Sequence, residues 1–455
     1  MSETVELETF VELTNDQDSC LRALKSGVNA LVTGSAGTGK SFVISEFIRW
    51  CGSTGKNVMV TAPTGIAALN IGGTTLHRAF RVPLEVLNLD YPTLSAVFNG
   101  CDEIVRSLPK NRNGDEREES ALLHTDVLII DEISMCRIDL FDYIAVRVLA
   151  LNYYRQRVGK RAVQVVLVGD FLQLPPVIIP KDKEVLYHIY GGDCGRGYAF
   201  QSRFYGEFGF KCLNLREVVR QKDAEFSRKL RDARVGFAAS LQYFTDKQSS
   251  DVIKGGITLT GKNKTAFEHN SRELEKIKGK EVVYTARETG TVKQSDKANT
   301  DLVSLKVGAR VMSLVNGDKY SNGSLGTVIG IKDNTNRTVV VEFDSGERAE
   351  IEPYDWEVYS YEYDKEEKAF KKIVVGTFTQ IPLKLGYAIT IHKSQGQTYD
   401  SVNIDPVCWE YGQLYTALSR CKSVDKMHFL SPLKYYYLKA APEVVKYYLS
   451  VREKV

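Results

Sequence analysis

The sequence predicts an α/β protein built on parallel sheets with crossover helices. Three observations carry this reading. Short apolar runs that read as buried strands alternate with helical stretches, the pattern that parallel sheets joined by crossovers require. Polar signatures fall just after the carboxyl ends of those runs, where open α/β sheets bind ligands. One stretch, 300–376, breaks the rhythm with short β-rich runs separated by Asn-Gly, Gly-Asp and Asp-Asn turns, so a small antiparallel unit is expected inside the second half.

In chain order, "LTNDQDSCLRAL" (13–24) reads as an N-cap and a helix. "NALVTGSAGTGKSFVISEFIRW" (29–50) reads strand, Gly-rich loop, helix. "KNVMVTAPTGIAALNI" (56–71) reads strand, turn, short helix. Residues 81–124 interrupt the alternation and end in the charged "LPKNRNGDEREES" (108–120), an insertion with an exposed loop. "TDVLIIDEIS" (125–134) and "AVQVVLVGD" (162–170) are two more strands, each ending in carboxylates, with the helical 137–157 between them. A second block begins near 201, with a helix at 226–236, strand and helix over 255–278, the antiparallel insertion, and a return to helix, turn and strand at 382–405.

Length and composition set limits. At ~100–200 residues per domain, 455 residues make two to four domains, with room for a core that needs no disulfide or metal staple. A net charge of +3 advertises no global basicity, although a local groove can still be basic. The eight cysteines form no CxxC pair and no zinc spacing, and read as reduced thiols of an intracellular protein. The acidic start has neither the apolar core of a signal peptide nor the Arg-rich pattern of a transit peptide. No apolar run approaches the ~18 residues of a membrane span. There is no extra carboxylate cluster of the kind a two-metal nuclease needs.

"GSAGTGKS" (34–41) fits the phosphate-binding pattern G-x-x-x-x-G-K-[ST] in full, in its proper place between strand and helix. The candidate nucleotide-binding residues are Gly34, Ala36, Gly37, Thr38, Gly39, Lys40 and Ser41. Loop N–H groups and the helix start face the phosphates, Lys40 reaches the β/γ-phosphates, and Ser41 holds Mg²⁺. "VLIIDE" (127–132) supplies Asp131 for Mg²⁺ and Glu132 as the base that polarises an attacking water. Gln17 suits an adenine edge and equally a surface position. Arg220 and Arg420 lie in the second block, where an arginine facing the γ-phosphate belongs, but chain position alone does not separate them from surface arginines.

In "VLVGDFLQLPPV" (166–177) a single amide, Gln173, sits between two leucines at the mouth of an apolar strand, and two prolines follow. An amide can accept from one group and donate to another, which suits sensing a γ-phosphate or its attacking water. In the "TAPTGIAALNIGGTTLHRAF" stretch (61–80), Thr64, His77 and Phe80 are candidates for binding nucleic acid through phosphates or base stacking, worth ~1–3 kcal/mol per base. A packed core position suits His77, and still more Phe80, on chemistry alone. His392 and Lys393 form a matching pair in the second block.

Taken together, "GSAGTGKS", "APTGIAALNIGGTTLHRAF", "IIDEISM", "GDFLQLPPV", "LREVVRQ", "TIHKSQGQT" and "YTALSR", in that order, resemble superfamily-one DNA helicases of the petite-integration-frequency (PIF) type, related to RecD. The likeness runs from about 13 to 430. It implies two RecA-like P-loop domains, at 1–200 and 201–455, closing on ATP and Mg²⁺. It implies a wedge loop inserted in the first, at 81–124, and a small Src-homology-like barrel in the second, at 300–376. By the same resemblance Gln17 reads adenine and Lys40 and Ser41 serve the phosphates and metal. Asp131 and Glu132 are metal ligand and base, Gln173 is the γ-phosphate sensor, and Arg220 and Arg420 are arginine fingers. Gly396 lies near the phosphates, while His392 and Lys393 face DNA.

The implied activity is ATP-driven translocation on single-stranded DNA, 5′ to 3′, with unwinding of forked or tailed duplexes in replication, repair or recombination. The working chain is expected to be a monomer in the cytoplasm or nucleoid, or in a host cytoplasm if viral. The competing reading is an accessory motor that needs a partner to unwind. The chain departs from the family pattern at 155–164, where "RQRVGKRAVQ" replaces the usual Phe-Gly-Gly before the sensor strand. It also lacks the long extensions of eukaryotic members, so the likeness is to compact bacterial or viral forms.

Overall fold

The computed structural model describes residues 13–80, Val82, Val86, 121–191, 195–221, 223–332, 338–364 and 369–452. Apart from Val82, Val86 and a short helix at Ala121–His124, the insertion expected at 81–124 lies outside the described residues, and so does the charged loop 108–120.

A six-stranded parallel sheet forms the first half. Its strands are β1 (Ala30–Gly34), β2 (Val58–Ala62), β3 (Thr74–Thr75), β4 (Val127–Ile130), β5 (Gln164–Val168) and β6 (Lys211–Leu215), in the order β3-β2-β4-β5-β1-β6. Every residue of β1, β4 and β5 is buried. A parallel strand covered by helices on both faces must be apolar throughout, which is why these runs show no alternation. One face packs under the helices Asn15–Lys25 and Lys40–Ser53, with Leu24, Val43, Ile44 and Phe47 fully buried. The other packs under the long helix Ile138–Arg157, with Phe141, Ile144 and Val148.

The strand order does the positioning. Because β5 lies between β4 and β1, three loops leave the same carboxyl edge side by side: the Gly-rich loop after β1, Asp131-Glu132 after β4, and the Gln173 loop after β5.

The first sheet does not end at residue 200. Strand β6 hydrogen-bonds along β1 in register Ala30↔Lys211. The C-terminal helix Pro442–Arg452 also returns to this half, burying Ala441 and Val444 in its core. Tyr448 Oη lies 2.8 Å from Thr33 Oγ1, and Tyr447 Oη lies 2.7 Å from Tyr205 Oη.

The second half holds a four-stranded parallel sheet made of Ala388–Thr390, Ile257–Thr260, Val402–Ile404 and Met427–Phe429, in that order. Between its first two strands in sequence comes antiparallel structure, as the turn-rich texture predicts. Arg310–Ser313, Leu325–Ile331, Val339–Phe343, Arg348–Ile351 and Leu383–Leu385 form a five-stranded sheet around Val311, Val328, Val341 and Phe343. A long hairpin, Tyr354–Asp364 with Ala369–Gln380, pairs with Arg287–Gly290 and reaches across to the first half. There Arg78 forms a buried ion pair with Asp296, and Thr74 Oγ1 donates to Tyr359 O at 3.5 Å. No helix among the described residues is long and apolar enough to cross a membrane.

Candidate active site at the domain interface

The Gly-rich loop is held from three sides. Gly37 and Gly39 adopt φ of +83° and +81°, which L side chains rarely take. A Cβ on Gly37 would lie 2.7 Å from Arg220 Cβ, and one on Gly39 would lie 2.4 Å from Gln17 Nε2. Glycine is therefore needed both for the turn and for the approach of neighbours. Thr38 Oγ1 donates to Ser35 O at 3.0 Å, and Ala36 N–H donates to Tyr415 Oη at 3.0 Å. Lys40 folds back, its Nζ donating to Gly34 O at 3.0 Å and Ser35 O at 3.1 Å. Burial lowers the pKa of this ammonium, while Asp170 and Glu132 pull it back up.

Gln17 is not on the surface. Its Nε2 donates to Thr38 O at 3.1 Å and its Oε1 accepts from Thr14 N–H at 3.1 Å. The amide thus caps the first helix and braces the Gly-rich loop, and it has one N–H and one lone pair left for a ligand.

Asp131 and Glu132 are half-buried at the cleft floor. Desolvation and the adjacent Glu132 push Asp131 up to about 7, and burial also raises Glu132. Glu132 has φ +49° and ψ +45°, the one non-glycine with positive φ among the described residues. Such backbone costs on the order of 1–3 kcal/mol and concentrates at functional sites. It turns the carboxylate toward the second half, where Oε2 accepts from Gln395 Nε2 at 2.8 Å.

The cleft also holds two cations with no acidic partner among the described residues, Arg220 against the Gly-rich loop and Arg420 from the second half. Arg220 is half-buried, and its Nη1 has no hydrogen-bond partner. Burial, and then the like charge of Arg420, lower it to about 10. Arg420 is held only by neutral acceptors: Thr416 O, Ser394 O, Gln397 O and Ser419 Oγ, at 2.8–3.2 Å. Burial lowers its pKa and Glu132 raises it. Ala36, Gly37, Gly39, Lys40, Ser41, Asp131, Glu132, Gln173, Arg220, Gly396 and Arg420 line one cleft of about 170 Å³. Candidates spread over nearly 390 positions of sequence thus meet at one place.

The Gln173 loop is anchored on both halves. Leu172 packs in the first core and Leu174 in the core of the second half, which leaves Gln173 between them facing the cleft. Asp170 is buried and makes a two-pronged ion pair with Arg234, at 2.9 and 2.8 Å, and accepts Leu172 N–H at 3.1 Å. Sequence reading missed Asp170, Arg234, Tyr415, Tyr448 and Gln395. Asp170 and Gln395 stand inside motifs already singled out, "VLVGDFLQLPPV" and "TIHKSQGQT". Arg234, Tyr415 and Tyr448 carry no such local signal.

Among the described residues no group of three His, Cys, Asp or Glu side chains could hold a metal. What the cleft offers is the Ser41 hydroxyl and the Asp131 carboxylate. That sparse, hard-oxygen set fits Mg²⁺ carried mainly by phosphates and water, not an all-protein cage.

A wider trench of about 850 Å³ continues from Asp131 and Glu132 between the halves. It is lined by Thr64, His392, Lys393, Gly396 and, from the hairpin, Tyr354 and Trp356. Thr64 caps a short helix, its Oγ1 accepting Ala67 N–H at 3.3 Å. His392 is half-buried, and desolvation lowers its pKa. Lys393 is exposed.

The other two nucleic-acid candidates are not on this trench. Phe80 is 2% exposed, in the core with Leu76, Phe141 and Ile144. Its ring has no face left for a base, so the core alternative holds and the base-stacking expectation is corrected. His77 is half-buried on the Leu76–Ala79 helix. Its pKa is lowered by burial and then by Arg137 and Lys293.

Comparison with known proteins bears on the same features. A model of the PIF1-like helicase family matches residues 12–252, and one of the UvrD-like helicase C-terminal domain matches 385–423. The chain is 31% identical to the ATP-dependent DNA helicase Pif1 of Campylobacter jejuni over 92% of this chain and 94% of that one. A crystal structure of Bacteroides sp Pif1 in complex with ADP-AlF4 is 29% identical and superposes with a TM-score of 0.80, covering 98% of both chains. Bacteroides Pif1 bound to ssDNA, also 29% identical with 98% of both chains covered, superposes at 0.65.

Proposed function

The chain belongs to the PIF1-like helicase family, and on that basis we infer that it is an ATP-dependent DNA helicase whose two RecA-like domains close on nucleotide and move along single-stranded DNA. One observation carries the assignment of chemistry to the cleft. Two guanidiniums without acidic partners among the described residues, half-buried Arg220 and buried Arg420, line the same space as Lys40 and Glu132 beside the Gly-rich loop. Such an arrangement is costly unless an anion completes it.

Ser41 and Asp131 would hold a Mg²⁺ ion bound with ATP, which would neutralise phosphate charge. Lys40 exchanges the Gly34 and Ser35 carbonyls for phosphate oxygens. Glu132, aimed by its left-handed backbone, takes the proton of the attacking water. Arg220 and Arg420 stabilise the charge that develops on the transferred group. Gln173 registers whether that group is present. Gln17, with the half of its amide that remains free, meets the base edge. Gly396 lets the backbone approach the phosphates. Thr64, His392 and Lys393 grip the strand in the trench.

In this reading the five-stranded antiparallel sheet is the small Src-homology-like barrel, and 81–124 carries the wedge. Translocation runs 5′ to 3′ by a monomer acting on forked or tailed duplexes in the cytoplasm or nucleoid. The deciding experiment compares 5′-tailed with 3′-tailed duplexes, with and without ATP. ATP-dependent strand separation on the 5′ tail alone is expected. Activity confined to the 3′ tail reverses the polarity. ATP hydrolysis without separation on either tail, or on a fork, points instead to an accessory motor.

A further inference from the structure

The motif that ends in Arg420 does more in this fold than deliver that arginine. Its helix, Gln413–Leu418, is fully buried and touches the nucleotide machinery at three points. It begins at Gly412, with φ +69°, where a Cβ would lie 2.1 Å from Gln173 O and 2.5 Å from Leu172 O. The second domain's backbone therefore rests directly on the Gln173 loop. One turn on, Tyr415 is 1% exposed, and its hydroxyl accepts Ala36 N–H of the Gly-rich loop at 3.0 Å. Just past the last turn comes Arg420, tied back to Thr416 O at 3.0 Å and Ser419 Oγ at 2.8 Å. A short helix so bound moves as one piece with its arginine.

We propose that Tyr415 is a positioning residue that couples domain closure to the phosphate loop, with its helix as the rigid body linking the Gly-rich loop, the Gln173 loop and Arg420. The proposal rests on the motor reading above. The contact crosses the domain interface, because Ala36 follows β1 and Tyr415 lies between Val402–Ile404 and Met427–Phe429. It can form only when the domains are close. Ala36 is itself buried, so its N–H loses its acceptor when Tyr415 withdraws, unless a ligand oxygen replaces it. The hydroxyl thus makes the loop's hydrogen bonding depend on the position of the second domain, the differential contact that linkage between two sites requires.

The test is Tyr415→Phe in the full chain. It removes the hydroxyl and leaves the ring in place. Affinity for a fluorescent oligo-dT strand is measured alone and with ADP–aluminium fluoride, and the ratio of the two affinities is the readout. The variant should narrow that ratio toward unity by about five-fold, which corresponds to ~1 kcal/mol. The KM for ATP should rise by a similar factor while kcat changes less than about two-fold, with an unchanged melting temperature in the absence of nucleotide.

A variant that keeps the wild-type ratio overturns the proposal and leaves the motor reading intact. A wild-type chain whose DNA affinity ignores nucleotide overturns the motor reading and the proposal together. If Tyr415→Phe melts far below wild type, Gly412→Ala takes its place. A methyl there forces the helix start off the Gln173 loop and should narrow the same ratio, and a wild-type ratio in that variant equally refutes the coupling.

Discussion

Arg220→Met should make the empty protein more stable and the enzyme inactive. The two effects have one cause. Arg220 lies on the Gly-rich loop, with its backbone N–H donating to Gly37 O at 3.2 Å, and its Nη1 has no partner. Burial and the nearby Arg420 bring it from 12.5 to about 10. At about 1.36 kcal/mol per pH unit, the cost of keeping this group charged in the empty cleft is bounded near 3 kcal/mol. Solvent reaches part of the side chain, so roughly 1–3 kcal/mol is the working figure. Methionine keeps the length of the stem without the charge. At about 2–4 °C per kcal/mol for a cooperative unit of ~150–250 residues, the nucleotide-free melting point should rise by roughly 2–12 °C.

With ADP–aluminium fluoride the order should reverse, because only the arginine gains a charge-assisted partner. DNA-stimulated ATP turnover should fall by about 10³-fold or more. The assay is a thermal melt of both proteins with and without the nucleotide analogue, beside steady-state hydrolysis. If Arg220→Met melts below wild type in the absence of nucleotide, the guanidinium is a structural partner of the fold, and the argument that it waits for a phosphate is refuted.

Three further outcomes are expected. Glu132→Gln should retain ATP binding but lose hydrolysis and unwinding, because the amide cannot take a proton. Near-normal turnover in single-turnover kinetics would remove Glu132 as base. Arg234→Met should cost about 3–5 kcal/mol by stranding buried Asp170, and adding Asp170→Asn should recover most of it. Purely additive losses in a double-mutant denaturation cycle would show that the pair is not coupled. Lys384, lowered to about 7 by burial and then by Lys393, binds fewer protons folded than unfolded between pH 7 and 10.4, so wild-type stability should rise with pH across that window. Lys384→Met should therefore be most stabilising at pH 7 and below, by up to about 5 kcal/mol, and the gain should vanish near pH 10.5. A gain that does not change with pH would assign it to packing.

Much of this was legible in the sequence because it is local. Apolar runs ending in Gly or Asp mark strand ends, and the Gly-rich loop declares its turn by spacing alone. Contacts between distant segments were not legible. Nothing in "PEVVKYYLSVR" says that the last helix crosses back to put Tyr448 on Thr33, and nothing near 200 says that Lys211–Leu215 completes the first sheet. Phe80 failed as a base-stacking residue for a similar reason. A lone aromatic at a helix end has no direction until the sheet beneath it is placed, and the apolar surface of Leu76, Phe141 and Ile144 takes it. The sequence alone offers Gln17 either a ligand or solvent. The structure gives it a third task, bracing Thr38, which depends on a partner 21 residues away.

The single amide in "VLVGDFLQLPPV" is explained by its neighbours on both sides. The two leucines that flank it do not share a core: Leu172 belongs to the first domain and Leu174 to the second. The tight turn over 170–173, closed by Gln173 N–H donating to Asp170 O at 2.9 Å, leaves Gln173 on the cleft between them. The rigid part of the segment lies before the glutamine as well as after it. Arg234 fixes Asp170, Asp170 fixes Leu172 N–H, and Tyr448 Oη takes Phe171 N–H at 3.2 Å. Pro175 and Pro176 stiffen only the exit. A displacement of Gln173 by a phosphate is therefore resisted on the side of Asp170 and passed on through Leu174 and the Gly412 contact, both of which engage the second domain. In the proposed reading, one residue's placement between two cores couples sensing to domain movement, and Gln173→Ala should for that reason leave ATP and DNA each bound while separating one from the other.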